Sequence, residues 1–231
     1  MSFDSKKETS ASVREGRHPT GIKILDEDIM RGVPQGSTIA IVGGAEGASE
    51  LILHSLAATG RKTEYITTLR SDRGLDKDIK GVRNEEKVSE EDIDESLTIR
   101  DVVSSTDSIG DVIRKSTSAV DNGNLIIDSF SKFKDDPQKL LDYARTIHIN
   151  TRKNNGISYL YFATEYDSLT RPEKEVLQLV DGVFNVETEI SGDSIENNLF
   201  INKLRGMKLP NEGQNLVFGK KLGIDVTSDI G

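Results

Sequence analysis

Cysteine is absent from the 231-residue chain, which excludes disulfides, thiolate metal sites and cysteine nucleophiles. Its three histidines, His18, His54 and His148, are dispersed, so we expect no histidine-based metal site. No apolar run approaches the roughly 20 residues that a membrane span needs, and the first residues lack the apolar region of a signal peptide. These absences predict a soluble, cytoplasmic protein without a metal and without a membrane partner.

Positive charge is also in deficit, because 39 acidic residues face 30 basic ones and leave a net charge of −9. An acidic balance disfavours extended binding to nucleic acid, so any basic patch must be small. The best basic candidates, residues 203–208 and Lys220–Lys221, contain no tyrosine, tryptophan or phenylalanine on which bases could stack. A nucleic-acid partner is therefore not expected.

Apolar runs of strand length alternate with segments of helical period, a pattern that predicts an α/β fold with a mostly parallel sheet. Residues 1–17 are polar and without periodicity, and we interpret them as a disordered tail before a single domain at 18–231. The predicted strands are Ser37–Val42, Thr63–Thr67, Ser96–Val103, Asn124–Asp128 and Ile157–Ala163.

Helices are predicted between these strands, and antiparallel hairpins after them. The helix at 50–58 follows a glycine-rich turn, and the one near 109–120 has Thr106 and Asp107 as cap candidates. The densely charged segment 72–94 is interpreted as having no apolar stripe and therefore as a long surface connection or an irregular lid. Two more helices start at Asp136 with Pro137 and at the capping box Thr170/Glu173, and hairpin strands follow at Gly182–Glu187, Asn198–Leu204, Leu216–Phe218 and Ile224–Val226.

A strand, a glycine-rich turn and a helix in this order form the setting of a phosphate-binding loop. Aligned on Gly43, the segment runs Gly43, Gly44, Ala45, Glu46, Gly47, Ala48, Ser49 and Glu50. Ala48 replaces the second glycine of such a loop, Ser49 the lysine that grips phosphate, and Glu50 the magnesium-binding hydroxyl residue. At an effective dielectric near 20, each unpaired contact between phosphate and a carboxylate costs on the order of a few kcal/mol.

Two interpretations of this turn stay open at the level of the loop alone. The glycines could only permit a tight bend from strand to helix. Alternatively the loop is vestigial, and Glu46 or Glu50 fills its anion hole, because the amino end of a helix favours a carboxylate.

Motifs around the loop resemble those of the KaiC and RadA/RecA-like ATPases. Segments 21–26 and 31–37 are similar to that family's TGIxxLD and GGIPxGS, and residues 124–129 to its second nucleotide motif. Leu179–Val183 and Ile201–Gly206 resemble its ADGV and KMRG segments. Over roughly residues 19–227 the chain looks like a divergent archaeal KaiC-type RecA protein, similar to those called halobacterial-transducer-like. The resemblance implies a RecA-like P-loop fold with C-terminal antiparallel hairpins.

The family's functional residues carry over incompletely. Thr67 and Thr68 occupy the place of the acid pair that activates water in active relatives, so no base is evident. Asp128 matches the magnesium-side acid, or is only a residue at a strand end. Lys203 and Arg205 match residues that reach a neighbouring subunit's phosphates in hexameric relatives, or are charges that blunt an exposed strand edge.

These losses favour a non-catalytic, pseudo-ATPase RecA-fold protein that regulates or scaffolds through contacts with an unidentified protein, without a cofactor or catalytic residues. The alternative is a KaiC-like ATPase that binds ATP and magnesium with residues from a neighbouring subunit. A recombination mediator that binds single-stranded DNA ranks last. Loss of nucleotide between subunits further predicts a monomer or dimer rather than a hexamer.

Overall fold

A short two-stranded ribbon opens the fold: β1 (Arg17–His18) pairs antiparallel with β2 (Val33–Pro34). Arg17 therefore belongs to the fold and not to the tail predicted for residues 1–17. Residues 1–14 of that predicted tail lie outside the part of the chain that the structure describes. The computed structural model describes residues 15–23, 25–44, 48–82, 88–102, 108–191, 194–208, 213–218 and 224–227.

A sheet of nine strands organises the rest of the described chain, in the order β11-β10-β9-β8-β3-β7-β6-β4-β5. Strands β5, β4, β6, β7, β3 and β8 are mutually parallel, whereas β8 to β11 form antiparallel pairs, as the sequence predicts. The strands are β3 (Ser37–Gly43), β4 (Thr63–Thr67), β5 (Leu97–Asp101), β6 (Asn124–Asp128), β7 (Ile157–Ala163), β8 (Gly182–Ser191), β9 (Ser194–Leu204), β10 (Gln214–Phe218) and β11 (Ile224–Thr227).

Helices cover both faces of the sheet, which explains why its central strands are apolar on both sides. Along β3, Ile39 and Ile41 face one hydrophobic core and Ala40 and Val42 face the other, and all four are fully buried. The helices are α1 (Ala48–Ala57), α2 (Asp72–Gly81), α3 (Glu90–Ser96), α4 (Ile109–Ala119), α5 (Pro137–Lys153) and α6 (Arg171–Leu179). Within the described residues, none of these helices is long and apolar enough to cross a membrane.

Local capping chemistry fixes where several helices begin. Asp136 accepts a hydrogen bond from the Lys139 backbone with Pro137 at the first position of α5, and Thr170 forms the predicted capping box with Glu173. Helix α4 begins differently from the prediction, because Ser108 caps it by accepting from Asp111 N. The cap candidates Thr106 and Asp107 lie outside the described residues.

The interpretation of segment 72–94 as an irregular connection is wrong, because it contains α2 and most of α3. Leu75, Ile79 and Val82 recur at helical spacing, and all three are buried, as is Ile93 of α3. The charges cover the opposite faces of the same helices. An apolar stripe was therefore present, but narrow enough to be obscured by the surrounding charge.

Candidate functional site

The candidate site lies at the carboxyl edge of the parallel strands. Helices α1 and α6, which follow the adjacent strands β3 and β7, pack on opposite faces of the sheet. In α/β folds, ligands bind at the carboxyl ends of such a pair of strands, and we call this edge the crevice. Gly43 ends β3 and Asp128 ends β6, so the fold brings the glycine turn and the second motif to one edge. Glu46 and Gly47 of the loop lie outside the described residues.

Close packing surrounds the glycine turn. A Cβ on Gly43 would collide with Ser49 Oγ, and one on Gly44 would lie 2.6 Å from Glu165 Oε1. The buried Tyr161 hydroxyl donates to the carbonyls of Gly43 and Gly44, each 3.1 Å away. Burial raises the pKa of Tyr161 to about 12, so it remains a donor at neutral pH. The absence of side chains at the two glycines thus lets Ser49, Tyr161 and Glu165 of this chain approach the turn closely.

Ser49, which the sequence analysis aligned with the lysine of a phosphate-binding loop, is only 2% exposed. Ala48, which was aligned with the second glycine, is equally buried. The Ser49 hydroxyl lies close to Gly43 and Tyr161, and its hydrogen bond with Tyr161 lowers the pKa of the tyrosine against the larger effect of burial. The position is therefore packed into the interior rather than open toward a ligand.

Glu50 forms an ion pair with Arg70, which follows β4. Arg70 also lies 3.9 Å from Asp78, and its backbone N–H donates to Thr67 Oγ1 at 3.1 Å. One interpretation of the turn was that Glu46 or Glu50 fills its anion hole. The carboxylate of Glu50 is paired with Arg70 instead, and Glu46 lies outside the described residues. Arg70 is a cation at the crevice that the sequence analysis did not identify.

Asp128 is buried, and Tyr65 OH donates to its Oδ2 at 3.2 Å. Desolvation raises the pKa of Asp128, against the opposing effects of Tyr65 and the charge of Arg70. Thr68 N donates to the Asp128 carbonyl at 2.6 Å, and Thr68 Oγ1 accepts from Ser129 N at 2.9 Å. Thr68, which the sequence analysis aligned with the acid pair of active relatives, thus joins the ends of β4 and β6.

Lys203 is directed at the end of helix α6. Its Nζ donates to the carbonyls of Leu177, Gln178 and Val180 at 3.1, 3.0 and 2.6 Å, which are carbonyls that the helix leaves without partners. Burial lowers the pKa of Lys203, with the charge of Arg205 a smaller cause in the same direction. In this structure the lysine acts as a C-terminal cap.

Arg205 binds Asp181, with 2.9 Å between Nη1 and Oδ1. Asp181 is buried and also accepts from Arg152 at 3.1 Å and from the backbone N–H of Thr38 at 3.0 Å. His148 lies 3.5 Å from the same carboxylate, and burial lowers the pKa of this histidine. Thr38 is at the amino end of β3, so Lys203 and Arg205 are not brought to the glycine turn of their own subunit.

Three residues at the crevice were missed from sequence: Arg70, Tyr161 and Glu165. Arg70 follows β4, Glu165 follows β7, and Tyr161 lies near the carboxyl end of β7. Because carboxyl ends of parallel strands share one edge, their position after predicted strands was the available signal.

Comparisons with known proteins agree with this architecture. The model of a family of unknown function, DUF7125, matches residues 17–231, and the chain belongs to that family. Among solved structures it is similar to a KaiC-like protein from the hyperthermophilic archaeon Pyrococcus horikoshii OT3, with 19% identity, a TM-score of 0.75, and coverage of 94% of this chain and 100% of that one. No curated protein sequence matches significantly. The fold is KaiC-like and RecA-like, and a fold of this kind does not by itself fix a function.

Proposed function

We propose that the protein is a RecA-fold regulatory or scaffold protein that acts through protein contacts and neither binds nor hydrolyses ATP. The observation that carries the proposal is the engagement of three cations within the chain. Arg70 pairs with Glu50, Lys203 binds the end of α6, and Arg205 binds Asp181. To replace the missing loop lysine at a phosphate, each of these cations would have to leave its present partner.

The local electrostatics support the same conclusion. Glu165 stands beside Gly44, Glu50 lies in the first turn of α1, and Asp128 ends β6, which is separated from β3 by β7. A triphosphate in this crevice would place its negative charge near these carboxylates. Arg70, the nearby cation, is already paired with Glu50. Each uncompensated contact of this kind costs on the order of a few kcal/mol near the protein surface.

Thermal unfolding with and without ATP and magnesium tests the proposal. A ligand at 100 times its Kd stabilises a native protein by about 2.7 kcal/mol, which for a chain of this length raises Tm by roughly 5–10 °C. We expect no rise up to millimolar ATP, and no phosphate release above a protein-free blank. A saturable rise in Tm, or turnover that Asp128→Asn abolishes, would refute the proposal.

A second variant makes a negative result informative. Glu165→Gln removes the carboxylate beside Gly44 while preserving the size of the side chain. If the negative charge of Glu165 repels phosphate, ATP with magnesium should raise the Tm of this variant more than it raises the Tm of the exposed control Glu175→Gln. A gain in Tm with ATP in the Glu165 variant alone would assign the exclusion to this site.

A further inference from the structure

The β8–β9 hairpin extends beyond the part of the sheet that anchors it. Strand β8 pairs with β3 only through Gly182–Asn185, whereas its pairing with β9 continues to Ser191. Strand β10 borders β9 only at Asn197–Leu199. The last residues of β8, 188–191, and the first residues of β9, 194–196, therefore form a projecting two-stranded ribbon.

The ribbon has an apolar face and an acidic face. Ile190 and Ile195 are directly opposite each other in the register, and each is 65% exposed. The neighbouring pair, Glu189 and Glu196, is also directly opposite and points to the other face, since side chains alternate along strands. Like charges directly opposite each other destabilise a pair of strands. Exposure of the two isoleucine side chains to water is also unfavourable. Both features favour a partner that offers apolar surface edged by positive charge.

A groove of that kind lies between α5 and α6 of the same chain. Its volume is about 640 Å³; half-buried Leu141 and Leu179 contribute apolar surface, and Arg145, Arg171 and Lys174 contribute positive charge. Of the groove residues only Glu175 is acidic; it lies 3.4 Å from Arg171, as Asp142 of α5 lies 3.4 Å from Arg145. Exposed pairs of this kind are weak and can exchange partners. A cationic groove stands out in a chain of net charge −9.

We propose that the Ile190/Ile195 ribbon of one copy docks into the α5–α6 groove of a second copy. The isoleucines would cover Leu141 and Leu179, and the long side chains of the groove cations would reach around the edges of the ribbon to the glutamates on its outer face, which gives both apolar and charge complementarity. Reciprocal docking produces a two-fold dimer, and one-way docking produces a chain of subunits. The proposal goes beyond the function above, because the contact does not depend on whether ATP binds.

Analytical ultracentrifugation of the full chain from about 1 μM to about 1 mM tests the contact over the range of weak association. We expect the mass to rise from 25.4 kDa to twice that value or more. Ile190→Ser/Ile195→Ser should raise the association midpoint at least ~10-fold. Leu69→Ser is the matched control, because Leu69 is 57% exposed but follows β4, and it should leave the midpoint unchanged. A monomer at every concentration would overturn the proposal.

A charge exchange assigns the groove as the partner surface. Glu189→Lys/Glu196→Lys and Arg171→Glu/Lys174→Glu should each weaken self-association, and an equimolar mixture of the two proteins should regain it. Loss in both variants without recovery in the mixture would overturn the groove assignment, provided circular dichroism shows both folded. The same runs with ATP and magnesium separate the two proposals: association that requires nucleotide would refute the proposed function, whereas association indifferent to it supports both.

Discussion

Lys203→Met separates a structural lysine from a phosphate-binding one. The substitution keeps most of the apolar stem and removes the ammonium that donates to three carbonyls at the end of α6. If Lys203 acts as a cap, the loss appears in the free energy of unfolding of the isolated protein. If it serves a neighbouring subunit's phosphate, the loss appears only when nucleotide is present.

The expected cost differs between the carbonyls that Lys203 binds. Val180 is fully buried and its oxygen lies 2.6 Å from Nζ, so leaving it without a donor costs ~1–3 kcal/mol. Water can replace the ammonium at Gln178, where the hydrogen bond is exposed. A cation at a helix C-terminus adds ~0.3–1 kcal/mol. The lowered pKa of Lys203 reports a desolvation cost that the variant relieves, so we expect a net loss of about 1.5 kcal/mol.

Urea unfolding followed by circular dichroism measures this loss directly, and thermal unfolding should show Tm lower by roughly 3–6 °C. Lys208→Met is the matched control, because Lys208 is exposed and the substitution removes the same charge shortly after the end of β9. Equal stability of the two variants would refute the capping role. A Tm change that depends on ATP in Lys203→Met alone would instead favour a role toward phosphate.

Two further predictions concern the crevice. Asp128→Asn should be more stable than the wild type at pH 7.5, with a difference that shrinks as pH falls toward about 4: the raised pKa of Asp128 means that its stabilising contribution is present at low pH and is lost as pH rises through the folded pKa. Paired unfolding curves at both pH values check this, and a difference that grows on acidification would contradict it. Ser49→Lys should cost more than about 2 kcal/mol relative to Ser49→Ala, because the position is buried, and it should not produce ATP hydrolysis, because Thr67 and Thr68 supply no base.

The parallel sheet was predictable because its strands are buried on both faces and read as short apolar runs between helical segments. The Asn124–Asp128 and Ile157–Ala163 boundaries agree with the structure for this reason. The α2 helix was missed although Leu75, Ile79 and Val82 have helical spacing. Its single buried stripe is surrounded by charge, so average composition indicated a loop where periodicity indicated a helix.

The candidate site was only partly predictable, because its chemistry depends on which side chains meet across the sheet edge. Local order placed Gly43 and Ser49 at a strand-to-helix turn. The hydrogen bond from Tyr161 to Gly43 and the ion pair of Arg70 with Glu50 can be predicted only when the order of the strands is known. Many strand orders are compatible with the same alternation of strands and helices. The contacts of Lys203 likewise depend on where α6 ends relative to β9.

The contacts made by Lys203 and Arg205 also bear on whether a neighbouring subunit could supply the missing charge. To reach a phosphate across an interface, Arg205 would leave Asp181, a buried carboxylate that would keep Arg152 and the Thr38 N–H. Lys203 would leave the buried Val180 carbonyl without its donor. Every 1.4 kcal/mol lost in these rearrangements weakens nucleotide binding tenfold, so a total of ~3 kcal/mol reduces affinity about a hundredfold. A ligand that must first break contacts on which the folded chain depends is opposed twice, once at the crevice and once at the cation it recruits.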